Sequence, residues 1–284
     1  MNNVNIYELM IKINHHIIKG GEFTDKQKEN IVNQFLAAKS SDKTRESFLK
    51  GVKAPEYLVS LEKSDDTRQM YPMYYIPPYN NGKKFQTVIP MSPKTHILSA
   101  NSYELEIIRL LCLFAPDNPD VKAMVAETLA RLKTTCFGYH DCSVGECFHS
   151  ALIVLRFLAS AAPGDTAWIN KLIDFYNRHK GETYRHGNTY WYYCLCLSEL
   201  PMDMEIAEHE ILKSKDFLIR QLTRSSVMNS ENDKINHPVM ICMLRNCLCR
   251  LSEYAYIKNR QPYISEKDGR LHFDMTSESQ ITII

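Results

Sequence analysis

Glycine is scarce in this chain, with 10 residues in 284 against a usual share of about 7%. So few flexible positions disfavour turn-rich β-sandwiches and glycine-looped nucleotide folds, and favour helices. Long hydrophobic runs are missing too. No stretch reaches the ~18 uncharged apolar residues of a membrane span. The N-terminal "MNNVNIYELMIKINHHIIKGG" has no basic segment leading into an apolar run, so it does not read as a signal peptide. There is no charge excess either: 34 basic residues face 33 acidic ones, with no basic block to track a phosphate backbone. The expectation is a protein that neither spans a membrane nor binds nucleic acid. The nine cysteines are an odd number, and several lie inside apolar helical patterns. Without an export signal, they read as reduced thiols in a cytoplasmic protein.

What is present is mostly helical periodicity. Ile6, Leu9, Met10, Ile13 and Ile17 recur at helical spacing, and Gly20-Gly21 ends the run. Thr24 with Gln27 makes a capping box for a second helix through Ile31, Phe35 and Ala38. Shorter helices are expected over 42–50 and 55–62. The texture then changes: "MYPMYYIPPYNNGKKFQTVIPMSP" (70–93) is rich in Pro and Tyr and sets Asn81-Gly82 between two β-prone runs, which predicts a small hairpin or an extended arm. The tail, "QPYISEKDGRLHFDM", repeats that pattern around Asp268-Gly269, and the two hairpins are expected to pair. The chain thus divides into a helical segment (1–69), an arm (70–98), a helical core (99–260) and a C-terminal hairpin and tail (261–284).

Within the core, four apolar helices open on polar, cap-like segments at Asn101, Ser143, Gly187 and His237, in steps of 42, 44 and 50 residues. The first three close on Pro116, Pro163 and Pro201. A more amphipathic helix follows each proline, carrying Val121, Val125 and Leu132, then Trp168, Leu172 and Tyr176, then Ile211, Leu218 and Leu222. A helix pair recurring every 40-odd residues is the mark of a helical repeat. The expected fold is all-α: helical hairpins in an α/α-toroid-like or superhelical repeat array with a small β-hairpin arm. The apolar helix of each pair faces inward and the striped one faces solvent.

With the inner helices parallel, their N-terminal ends share one face. His140, Asp141, Glu146 and His149 would meet Arg185, His186 and Asn188 there, with Asn101, Ser102, Asn236 and His237. Unpaired N–H groups and positive dipole ends suit an anionic or hydroxyl-rich ligand. Ser, Asn and Asp are also what N-caps require, and for Asn101, Ser143 and Asn236 capping is the simpler role.

"TTCFGYHDCSVGECFHS" (134–150) concentrates the chemistry. Cys136, Cys142, Cys147 and His149 are four possible zinc ligands, but C-x5-C-x4-C-x-H lacks the C-x2-C knuckle that presents paired sulfurs. Cys147 and His149 also point to different sides of a helix. No metal and no cofactor are expected. Glu146 and His149 form an E-x-x-H pair without the second copy a di-iron bundle needs. Cys142 or Cys147 near a helix N-terminus, with His140 or His149 as base, would suit nucleophilic catalysis, although such histidines usually lie far away in sequence. Asp141 with Glu146 or His149 would suit acid–base work on a glycoside, which needs two carboxyl groups roughly 5–10 Å apart. Tyr190, Trp191 and Tyr193 are aromatic faces on which a sugar could stack, core packing being the simpler role for two of the three.

"RHGNTYWYYCLCL" resembles the Arg-Gly-Asn-Gly-Trp helix start of unsaturated glycuronyl hydrolases, an α/α-toroid family. The matching positions are Arg185, Gly187, Asn188 and Trp191, with His186 inserted and the second glycine absent. The likeness covers about a dozen residues, and it implies a toroid without implying the activity. Two functions are therefore carried forward. One is a helical-repeat module binding a small molecule, peptide or protein partner at the inner-helix face, with His140, Arg185, His186, Asn188 and Trp191 as contacts. The other is a toroid-type hydrolase or lyase using Asp141, Glu146 and His149.

Overall fold

The computed structural model describes residues 5–52, 66–78, 84–140, 142, 145–180, 188–223, 231–257, 263–267 and 270–274. The described core is helical. Helix α1 (Ile6–Ile18) is capped by Asn5 and ends at Gly20, whose φ of 84° is costly for a side-chain-bearing residue. Helix α2 (Asp25–Ala37) carries the expected Thr24–Gln27 capping box, and α3 (Asp42–Gly51) is capped by Ser41. The expected helix over 55–62 lies outside the described residues. A single turn, α4 (Asp66–Gln69), leads into the Pro/Tyr-rich segment.

Three helical hairpins follow: α5 (His96–Phe114) with α6 (Pro119–Lys133), α7 (Cys147–Ala161) with α8 (Thr166–His179), and α9 (Asn188–Glu199) with α10 (Glu205–Thr223). Helix α11 (Glu231–Leu248) and a 3-10 turn (Ser252–Ile257) close the helical part. Helices α5 and α7 are buried along most of their length, whereas α6 and α8 bury a single stripe. This inner and outer division follows the apolar and amphipathic patterns of the sequence. Each fully buried Leu, Ile or Phe contributes about 1.5–3 kcal/mol relative to exposure. One continuous core runs from Leu9 to Leu251.

The packing order is sequential. Helix α5 lies against α7, α7 against α9, and α9 against α11, while α1 touches both α5 and α11. The outer helix of each hairpin packs on its own inner partner, and α2 covers α5.

Three expectations need correction. The last inner helix starts at Glu231, so Asn236 and His237 lie inside it rather than at its opening. The first inner helix begins at His96, capped by Thr95, so Asn101 and Ser102 are not its opening residues. They are buried one turn inside it, where Asn101 bonds the Met70 carbonyl (2.8 Å) and accepts from Arg131 (3.0 Å). Residues 70–78 and 84–95 contain no strand, and the Asn81-Gly82 turn lies outside the described residues. Glu104 organises the segment instead. One of its oxygens accepts the N–H groups of Met73, Tyr74 and Tyr75 at 2.6–3.1 Å, and the other accepts from Arg131 at 2.9 Å. A buried carboxylate with so many donors holds irregular backbone where no strand partner does.

The tail does form an antiparallel hairpin, β1 (Tyr263–Lys267) with β2 (Arg270–Asp274), in the register Tyr263 to Asp274 and Lys267 to Arg270. Its sheet is two-stranded, and among the described residues no strand of the arm joins it. No helix among the described residues is long and apolar enough to cross a membrane.

Candidate functional site

The beginnings of three inner helices are tied together by direct contacts. Glu146 precedes α7, yet its side chain makes no cap bond to its own helix. It reaches across to the start of α5. One carboxylate oxygen accepts the Lys94 N–H, and the other accepts the Thr95 N–H (2.7 Å) and hydroxyl (2.5 Å). The Thr189 hydroxyl, in the first turn of α9, lies 3.6 Å from the Met91 sulfur just ahead of α5. Helix α1 begins at the same end: Tyr7 bonds the Gln86 carbonyl (3.3 Å) and packs on Phe85, which in turn packs on Tyr103 of α5. A groove of about 490 Å³ lies between the start of α1 and the segment ahead of α5, lined by Asn5, Tyr7 and Glu8 on one side and by Lys84, Phe85, Gln86, Ser92 and Pro93 on the other.

Glu146 and His149 share the opening of α7 as expected, but Glu146 is buried and both its oxygens are engaged by protein donors. Burial lowers the His149 pKa from its ordinary value; Glu146 opposes that shift and Lys94 adds to it. His140 is exposed on the loop before α7 and sets its ring against the edge of Tyr139. Trp191 is only 9% exposed and packs with Tyr190 and Phe217, in keeping with the core role. Asn188 is the first residue of α9. Asp141, Arg185 and His186 lie outside the described residues.

A second polar cluster occupies the middle of the bundle, and sequence reasoning missed it. Arg156 of α7 is fully buried. It donates to Glu106 of α5 (2.5 Å) and, through two nitrogens, to Glu199 of α9 (2.7 Å each). Arg109 donates to Glu106 (3.2 Å) and Glu199 (3.5 Å), and both arginines donate to the Asn14 side chain of α1. Tyr192 adds its hydroxyl to Glu106 (2.8 Å). Burial alone would lower the Arg156 pKa, but Glu106 and Glu199 outweigh it and hold it well above its ordinary value. Burial would raise Glu199, and Arg109 with Arg156 instead bring it below the usual carboxylate range. Two guanidinium groups and two carboxylates balance. A signal existed: a lone arginine in "ALIVLRFLASA" must find a carboxylate if that helix is internal.

The third cluster is the cysteine stretch. The sulfurs of Cys136, Cys142 and Cys147 all lie within 4.8 Å of one another, with Cys136 and Cys147 at 3.4 Å. No C-x2-C knuckle is needed, because the turn after α6 folds back onto the start of α7. Thr135 caps the Leu132 carbonyl and accepts the Gly138 N–H, and the Trp168 indole donates to the Gly138 carbonyl (2.7 Å). A Cβ at Gly138 would come within 2.2 Å of the Leu132 carbonyl oxygen, so the turn requires glycine. Gly145 then re-enters the helix with φ at 57°. Contact with Cys147 lowers the Cys136 thiol to about 7 against the effect of burial, while Cys147 itself is pushed far up. His149 is not part of the sulfur group. All nine cysteines are outside disulfides.

Comparison with protein-family models, curated proteins and solved structures finds no match to this chain.

Proposed function

We propose that this chain is a ring of helical hairpins that binds a polar ligand, a small molecule or short peptide, at the end where its inner helices begin. The ring reading is supported by the packing order, since α1 bridges the first and last inner helices of the series α5, α7, α9, α11. The observation that carries the ligand reading is the groove between the start of α1 and the segment leading into α5. Its volume of about 490 Å³ falls in the range of small-molecule sites, about 300–1,000 Å³. Lys84 and Glu8 bring both charge signs to its lining, with the side chains of Asn5, Gln86 and Ser92 as neutral donors and acceptors.

The hydrolase reading is weaker for a specific reason. It asks Glu146 to give or take a proton at a substrate, and both Glu146 oxygens already accept from Lys94 and Thr95. A group so engaged positions a helix rather than a substrate. The test is a thermal-shift screen of sugars, uronates, nucleotides and short peptides on wild type, Lys84→Ala and Gln86→Ala. A compound that stabilises wild type and loses its effect in either variant supports the groove. Hits that stabilise all three proteins equally would remove the groove from the proposal. Release of a free sugar by wild type, lost in Asp141→Asn, would restore the hydrolase.

A further inference from the structure

We infer that Cys136, Cys142 and Cys147 form a binding site for a thiophilic d10 metal cation of the zinc class, held by three thiolates with one coordination position open. The site shares no residue with the groove and stands independently of what the groove binds.

The geometry carries the inference. Zinc–sulfur bonds of about 2.3 Å in a tetrahedron place the sulfurs roughly 3.8 Å apart. Here the three sulfurs lie within 4.8 Å of one another, and the shortest separation is 3.4 Å. The spread brackets the required spacing, so side-chain adjustments of less than about 1 Å would complete the triangle. A disulfide, by contrast, requires about 2.05 Å and uses two sulfurs, leaving the third cysteine unexplained.

The supporting structure is rigid on both sides. Cys136 sits in the turn held by Thr135, Gly138 and Trp168, and Cys147 opens a fifteen-residue helix. The positive end of that helix favours the anionic sulfur that a metal requires. Access is also present: Cys147 is buried, whereas Cys136 and Cys142 are partly exposed. A cation could therefore enter from the Cys142 side, displace the thiol protons to solvent, and keep water or another donor in its fourth position.

The experiment is anaerobic titration of the reduced full chain with Co2+, followed by competition with Zn2+. The expected result is a thiolate-to-cobalt charge-transfer band that saturates at one metal per chain and is bleached by zinc. Cys142→Ser should weaken cobalt binding by at least tenfold, and Cys112→Ser, altering a half-buried cysteine outside the cluster, should leave it unchanged. Because Cys147→Ser alters a buried position, the same point is read in wild type by alkylation and peptide mapping. Zinc should protect Cys136 and Cys142 and leave the labelling of Cys112 as it was. The inference is overturned by the absence of a charge-transfer band, or by a band that survives Cys136→Ser and Cys142→Ser together. Formation of a Cys136–Cys147 disulfide in air, with no cobalt band under reduction, would also overturn it.

Discussion

Helix α7 carries two polar clusters about 13 Å apart along its axis, Cys147 at its first residue and Arg156 nine residues on. Arg156 sits among Glu106, Arg109, Glu199, Asn14 and Tyr192, where two positive groups face two negative ones and each guanidinium has several acceptors. The thiols gather beside a half-exposed turn, their three sulfurs within 4.8 Å of one another. The first arrangement is complete in itself and fixes the register of four helices. The second is a convergence of three soft donors at the start of α7, whose positive end favours a thiolate. Buried polarity that is internally balanced points to architecture, and buried polarity that converges without balance points to a ligand.

The strongest test of the balanced half is Arg156→Met. It leaves Glu106 and Glu199 facing each other in the interior, and removing one partner of a buried pair costs about 3–5 kcal/mol. Urea denaturation should show that loss, and replacing Glu199 by Gln in the same chain should recover part of it, because Arg109 still pairs with Glu106. A variant within about 1 kcal/mol of wild type would mean the network is dispensable, and the contrast with the thiol cluster would lose its basis.

Trp191→Ala calibrates the comparison with an apolar site of similar burial. Deleting a packed tryptophan costs ~3–5 kcal/mol, and Trp191→Phe should recover much of that because shape rather than charge is at stake. A near-native melting temperature for Trp191→Ala would return this residue to the ligand-contact role that its sequence setting suggested.

Glu146→Gln is expected to have a smaller effect. The amide keeps one acceptor oxygen but turns an NH2 toward the Lys94 and Thr95 donors, and hydrogen bonds to charged groups contribute about 1.5–3 kcal/mol. Stability should fall by that amount while cobalt binding at the neighbouring cysteines stays unchanged. Unaltered stability together with loss of a ligand found in the thermal-shift screen would contradict the clamping role.

These contrasts were unevenly legible in the sequence. The inner and outer helices were readable because apolar and amphipathic periodicity report burial directly, and the Thr24–Gln27 box was readable because its partners are three residues apart. The start of α5 was misplaced by five residues because Asn101 is the type of residue that caps helices, and only the fold reveals that it bridges Met70 and Arg131 instead. Glu146 was read as an acid–base group at the opening of its own helix, but the helix start it clamps lies 51 residues upstream of its own position, a distance no local pattern conveys. The three cysteines could be judged only by their spacing, and the turn that gathers them depends on Trp168, a residue from the following helix.

The smallest expected effect is on pH dependence, and it separates the buried histidines from the Arg156 network by the range in which they respond. Burial lowers the pKa of His15, His96 and His149 from the ordinary 6.5. The folded chain therefore resists protons that the unfolded chain accepts, so this contribution is intact above about 6.5 and is lost as pH falls below it. Glu199 is also lowered, but from 4.5, so the Arg156 network should hold until the medium is far more acidic. Denaturation midpoints followed from about pH 7.5 downward should show a shallow early decline and a steeper one only below about pH 4.5. Replacing His15, His96 and His149 by Gln should flatten the first phase and leave the second. An early phase that persists in this triple variant would place its origin elsewhere, and a network that fails together with the histidines would show that Glu199 is not held by the two arginines.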